Sequence, residues 1–285
     1  MTLRTPLCDL LDIEHPILLA GMGGVSYAEL AAAVSNAGGY GVLGMAGTST
    51  RFIEEQMKKV RELTDKPFGV DLLAATPDAL TKAVDVIIDN GASSFVAGLG
   101  VPMPIIEKLK KAGLKVMVVC GAVKHAVKIP VVGAGGIYDG RGLAASLALG
   151  AQGVWMGTRF IASEEAHAGD LYRQAIIEAK DEDTVRTRSY SGKPMRVKKN
   201  AWVEDWESRP QDIQQFPQQA MVSIQEGAMG GIGGQVEGLD PDKSCFAMGQ
   251  SAGGVHDVLP AGEIVRRIMA EAEAAIARME KLRAA

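Results

Sequence analysis

Two short segments of this chain have the residue types of an anion-binding site: GAGGI, Gly133–Ile137, and MGTRF, Met156–Phe160. Glycine lets the backbone approach an anion closely, and free N–H groups at the start of a helix favour negative charge. Thr158 adds a hydroxyl donor to the second segment. Each segment ends a short apolar run, and GAGGI precedes a helical stretch that starts near Asp139. Either set of glycines alone would serve a tight turn equally well. At the ends of two consecutive strands they form a phosphate cradle, a feature that recurs after the last strands of parallel β/α barrels. A dinucleotide-binding GxGxxG does not compete, because AGMGG after the first apolar run lacks its spacing.

The elements that must position these segments alternate regularly. Apolar runs at 16–22, 40–45, 68–74, 93–100, 115–121, 130–136 and 153–160 read as strands buried on both faces, hence as a parallel sheet. Between them lie helical stretches. Tyr27–Asn36 stops at Gly38-Gly39, and Thr50–Leu63 carries Phe52, Ile53, Met57 and Val60 on one face. Thr76-Pro77-Asp78 opens a helix that stops at Asn90-Gly91, and Pro104–Ala112 and Asp139–Leu149 follow. The pattern predicts an α/β fold, a TIM-type (β/α) barrel with seven readable strands. Strand centres are 22–28 residues apart, except that only 14 separate Val118 from Val132. A parallel crossover needs a dozen or more residues, usually with a helix. One βα unit is therefore missing at this point.

Residues 161–180 read as helical. Residues 181–260 are polar and irregular, too long for a barrel loop without structure of its own. They read as a small helical or irregular inserted subdomain, which leaves 1–180 and 261–285 for the barrel. In the last helix, Ala261–Leu282, the residues Ile264, Val265, Ile268, Met269, Ala272, Ile276 and Met279 face the core.

Composition narrows the function. The 285 residues are 47% hydrophobic with 34 glycines, and a net charge of −4 argues against nucleic acid as a partner. Cys8, Cys120 and Cys245 are far apart and odd in number, so neither a disulfide framework nor a metal site is expected. Asp9, Asp12 and Glu14 interrupt the first apolar stretch, which is not a signal peptide, and no apolar run is long enough to span a membrane. These features suit a cytoplasmic protein with reduced thiols.

HPILLAGMGG, AGGYGVLG, PFGVDLL, KVMVVCGAVKHA, KIPVVGAGGI, GVWMGTRFIASEEA, TRSYSGKP and MGQSAGGVHDVLPAGEIV together resemble the nitronate monooxygenase (2-nitropropane dioxygenase-like) family along nearly the whole chain. Flavin-dependent enoyl-acyl-carrier-protein reductases are similar in the same segments. The resemblance implies a barrel holding FMN non-covalently. It implies that Ala20, Gly21 and Met22 lie against the isoalloxazine and that Gly135, Gly136, Gly157 and Thr158 bind its phosphate. It further implies that Gln250 and Ser251 reach toward the flavin from the late segment. Asp71 stands where the family often has Asn. It is expected by the flavin at the C-terminal end of its strand; the other reading is a structural carboxylate bonded to backbone N–H groups.

The implied reaction is oxidation of an alkyl nitronate by oxygen to a carbonyl compound and nitrite. A neutral nitroalkane must first lose its α-proton, the task of a histidine on a Gly-rich loop in the family. Here Ala126 runs straight into Val127-Lys128-Ile129-Pro130, so that loop and its histidine are absent. His15 precedes the first strand, His125 sits at the junction and His167 lies in the helix after MGTRF. His256 is the one remaining candidate near the flavin, with a surface or capping role as its alternative. No catalytic residue is therefore assigned. An enoyl reductase and a non-catalytic flavin-binding homologue stay open as alternatives, as does an oligomer.

Overall fold

The computed structural model describes residues 3–73, 77–98, 100, 103–121 and 129–283. Strand and helix alternate through α1 (Pro6–Leu11), β1 (Ile17–Leu19), α2 (Ala28–Asn36), β2 (Gly41–Gly44), α3 (Thr50–Leu63), β3 (Phe68–Leu73), α4 (Pro77–Asp89), β4 (Ser94–Gly98), α5 (Met103–Lys111) and β5 (Lys115–Val118). They continue with β6 (Val132–Ala134), α6 (Gly140–Ala148), β7 (Gly153–Met156), α7 (Thr158–Ile161) and α8 (Asp170–Glu178). After these come β8 (Thr184–Thr187), β9 (Met195–Lys198), α9 (Ala201–Ser208), α10 (Gln218–Gln225) and α11 (Ala261–Arg283).

Strands β1 to β7 pair in parallel. One run is β6-β7-β1 and another is β2-β3-β4-β5. A bridge between Leu18 and Tyr40 joins the two runs, with Leu19 N–H donating to the Tyr40 carbonyl at 3.0 Å. The order around the barrel is therefore β6-β7-β1-β2-β3-β4-β5. Leu18, Tyr40, Val42 and Val96 fill the interior together with Leu7, Cys8 and Leu11 of α1. The amphipathic α1 thus plugs the N-terminal end, and the Tyr40 hydroxyl bonds the Ser94 hydroxyl inside at 2.6 Å. The C-terminal strand ends form the open face, where barrels of this type carry their sites.

The outer layer is built from the apolar stripes of the helices. Ile53, Met57 and Val60 of α3, Val84 and Ile87 of α4 and Ile264, Val265 and Ile268 of α11 belong to one buried cluster. Met279, expected on the α11 stripe, is instead exposed. The 23-residue α11 outruns the 9-residue α6 on which it packs, so its last turns have no partner there.

The short connection has a structural counterpart. Among the described residues, nothing pairs with the outer edge of β5 or with that of β6. Apolar side chains beside the seam are exposed: Val119 at 54%, Ile129 at 68%, Val131 at 40% and, just after α6, Leu149 at 90%. Met117, Val132 and Trp155 face the interior yet are only partly buried. Of the two arrangements the sequence permits, neighbouring strands or an open barrel, the described strands adopt the open one.

Residues 161–180 are not one helix. A loop at 162–169 separates α7 from α8. The stretch expected to be helical or irregular contains an antiparallel hairpin, β8 with β9. MRVK alternates apolar and polar residues, the period-2 signature of a half-buried strand, but TVRT has Val185 as its one apolar residue and each strand is only four residues long. Tyr190, Val197, Val203, Ala228 and Cys245 form a small core of their own.

Candidate functional site

The floor of the open face is made by backbone. Leu19 is in register with Met156, so the chain leaves β1 as Ala20-Gly21-Met22 beside Gly157, and Ala20 N–H donates to the Met156 carbonyl at 2.9 Å. The buried Ser26 hydroxyl pins this turn by accepting from Met22 N–H at 2.8 Å. Nothing in the sequence pattern distinguished Ser26 from an ordinary turn residue.

Asp71 lies on this floor. It is the fourth residue of β3, in register with Gly44 and Val96, and so sits within the strand rather than at its last position. Its side chain nonetheless reaches the mouth, because it covers Gly21. A Cβ on Gly21 would collide with Asp71 Cβ and Oδ2, and one on Gly98 would lie 3.6 Å from Oδ1. The carboxyl therefore points across the mouth between the ends of β1 and β4. Among the described residues it has no hydrogen-bond or ion-pair partner, so the expected alternative of a carboxylate held by backbone N–H groups is not what the described residues form. Burial pushes it up to about 7, because desolvation disfavours the charged form.

The cradle stands next to this floor. Ala134 pairs with Trp155, so the loops after β6 and β7 leave from neighbouring strand ends, about 5 Å apart. Gly135 (φ 95°) and Gly136 (φ 73°) adopt the left-handed region, which disfavours any other residue, and a Cβ on either would meet nothing within 4 Å. The backbone N–H groups of Gly135, Gly136, Gly157 and Thr158 have no acceptor among the described residues. The start of α6 contributes less than its position promises. Gly142 N–H is bound by Asp139 Oδ1 and Gly140 N–H by Glu271 Oε2, both at 2.9 Å. Two carboxylates thus already occupy that helix end.

A strap closes this side. Phe246 and Met248 pair with β9, since the Phe246 carbonyl accepts from Lys198 N–H at 2.9 Å and Met248 N–H donates to the Arg196 carbonyl at 3.2 Å. This aims Gly249 at the cradle, where its N–H donates to Thr158 Oγ1 at 2.9 Å. A hydroxyl that accepts one bond keeps its proton to donate. Ser251 is buried beside Gly249, while Gln250 is exposed. The buried Arg159 holds the strap's far end through Asp257 Oδ1 at 2.7 Å and the Asp257 carbonyl at 2.6 Å. Sequence reading missed this pair, as 98 residues separate two ordinary charges.

The histidines lie elsewhere. His15 precedes β1 at the plugged end, and His125 lies outside the described residues. His167 is in the loop before α8, not in a helix; its Nδ1 is 2.8 Å from the Gly24 carbonyl and its ring packs on Tyr27. His256 is exposed and shares a cavity of about 270 Å³ with Tyr138, Arg141 and Glu271 rather than with Asp71 or Gly21. No described group of His, Cys, Asp and Glu could hold a metal ion.

Comparison with known proteins agrees with this architecture. The nitronate monooxygenase family model matches residues 4–113 and 103–271. A 5-hydroxy-7a-methyl-1-oxo-octahydro-1H-indene-4-carboxyl-CoA dehydrogenase of Mycobacterium tuberculosis is 36% identical over 248 residues, covering 73% of this chain and 70% of the relative. A probable nitronate monooxygenase of Staphylococcus saprophyticus is 30% identical over 306 residues, covering 78% and 86%. That span exceeds the 285 residues of this chain, so the alignment bridges a stretch that the relative has and this chain lacks. FabK of Thermotoga maritima superposes with a TM-score of 0.88 at 34% identity, covering 99% of this chain and all of that one. The parallel barrel, its glycine-lined mouth and these matches agree, and the chain belongs to the nitronate monooxygenase family of flavin oxidoreductases, with an internal stretch missing.

Proposed function

We propose that the chain binds FMN non-covalently across the barrel mouth and oxidises alkyl nitronates with oxygen to a carbonyl compound and nitrite. The observation that carries this reading is the adjacency of two parts. A floor of Ala20, Gly21, Met22 and Asp71 abuts a cradle of N–H groups at Gly135, Gly136, Gly157 and Thr158 that are unpaired among the described residues. Among the described residues the donor set fits a phosphate: four open N–H groups, a hydroxyl with a free proton and no carboxylate aimed among them. Thr158 holds the strap over the phosphate end by accepting from Gly249 N–H, Gln250 and Ser251 of the strap reach toward the flavin, and the Ala20–Met22 backbone supports the ring. Bound FMN would supply the redox chemistry, accepting electrons from the substrate and passing them to oxygen.

In this reading residues 1–180 and 261–285 are the flavin-binding barrel. Residues 181–260 are an insertion whose hairpin positions the strap. The partners are a small-molecule substrate and oxygen rather than nucleic acid, and the compartment is the cytoplasm. No helix among the described residues is long and apolar enough to cross a membrane.

A nitronate is already an anion and needs no base, whereas a neutral nitroalkane does. General-base catalysis contributes about 10²–10⁴-fold, so kcat/KM for nitronates should exceed that for the matching nitroalkanes by roughly that factor. The test is purified protein showing one flavin per chain by its visible spectrum, followed by nitrite release from each substrate form. Equal turnover of both forms, or protein that takes up no flavin, contradicts the reading. The similarity to FabK and to a CoA dehydrogenase favours a second reading, a reductase acting on acyl thioesters. Steady NADH or NADPH oxidation with a crotonyl thioester, without nitrite release from nitronates, would decide for it.

A further inference from the structure

Among the described residues, Asp71 is a carboxyl without a counter-charge. The elements packed around it carry no titratable side chain near the mouth: none in β1 and its loop through Ser26, none from Gly41 to Ser49, none in β4, and none other in β3. Its two oxygens face backbone, Oδ2 over Gly21 and Oδ1 toward Gly98. A group so placed responds to whatever charge arrives on the floor it covers.

We propose that Asp71 is the proton-coupling residue of the mouth, taking up one proton from solvent when negative charge enters a flavin ring lying on Ala20–Met22. The inference rests on the FMN reading. Two electrons from a reductant, the organic substrate in turnover or dithionite in a titration, would add negative charge to the floor that Asp71 covers. A carboxylate there opposes that charge across a half-buried gap, and a neutral carboxyl can donate to it. One proton therefore moves from water to an Asp71 oxygen. No covalent bond to the ring is made, and the ring's own protonation proceeds independently of Asp71. Burial already holds the carboxyl up to about 7, so a further rise lets it take up the proton across the range just above neutrality. An Asn at this position offers the same shape without the proton.

The holoprotein and its Asp71→Asn variant are reduced with dithionite against a reference dye from about pH 6 to about pH 9. Above about pH 7, the reduced-to-oxidised ratio at fixed potential should fall an extra tenfold per pH unit in the wild type, about 30 mV for a two-electron couple. Near pH 6 the two dependences should run parallel. Parallel dependences across the whole range overturn the proposal. Should the variant fold poorly, the infrared reduced-minus-oxidised difference of the wild type above pH 7 decides. A new protonated-carboxyl band supports the proposal, and its absence overturns it. Protein that binds no flavin refutes the FMN reading instead, a result visible before any reduction.

Discussion

At the scale of single residues, Asp71 connects site chemistry to stability. Its folded value, about 7, lies above the ordinary 3.8 of an unfolded aspartate. The folded chain thus binds the proton more tightly, and the associated stability is fully present below about pH 3.8 and lost as pH rises through about 7. Asp71→Asn should therefore stabilise the apo-protein by on the order of 2–4 kcal/mol at about pH 8, the gain shrinking toward about pH 5. Chemical denaturation at the two pH values measures this, and a pH-independent difference would contradict it. Asp71 was legible in the sequence because a carboxylate in an apolar strand is costly. Its contact with Gly21, two strands away, was not, because register decides which floor a strand residue covers.

At the scale of elements, the seam between β5 and β6 is the feature with consequences. Strand edges that are unpaired among the described residues and flanked by exposed Val119, Ile129 and Val131 are templates for association. The wild type should self-associate with rising concentration. Val119→Lys with Val131→Lys, both at exposed positions, should suppress that association at a stability cost of about 0.5 kcal/mol or less each. Light scattering across a concentration series measures it; identical mass distributions for both proteins would show that the seam is not sticky. The missing unit was visible as a spacing of 14 residues. The β8–β9 hairpin was not visible, because four-residue strands in polar sequence carry little periodic signal. Neither was the loop that splits residues 161–180.

At the scale of the whole molecule, the cradle and floor are held by segments from both ends of the chain. Thr158 meets Gly249, Arg159 meets Asp257, and Glu271 caps Gly140. A ligand bridging these parts should stabilise the fold by mass action, about 2.7 kcal/mol at a hundredfold excess over Kd. For a chain of this size that is a rise of roughly 5–10 °C in Tm. Riboflavin, which lacks the phosphate, should give a much smaller rise at the same concentration. Equal shifts from FMN and riboflavin in a thermal melt would remove the cradle from the account.

The sequence by itself determined the alternation of buried strands and amphipathic helices, the glycines of GAGGI and MGTRF, and the absent βα unit. These follow from local periodicity and from residue types that few backbone conformations accept. Only the tertiary structure decided that, among the described residues, β5 and β6 leave an open seam and that carboxylates already occupy the start of α6. It alone showed that a hairpin aims Gly249 at Thr158, and that Asp71 lies over Gly21 without a partner among the described residues. Those are properties of register and of contacts between distant segments, which no local pattern encodes.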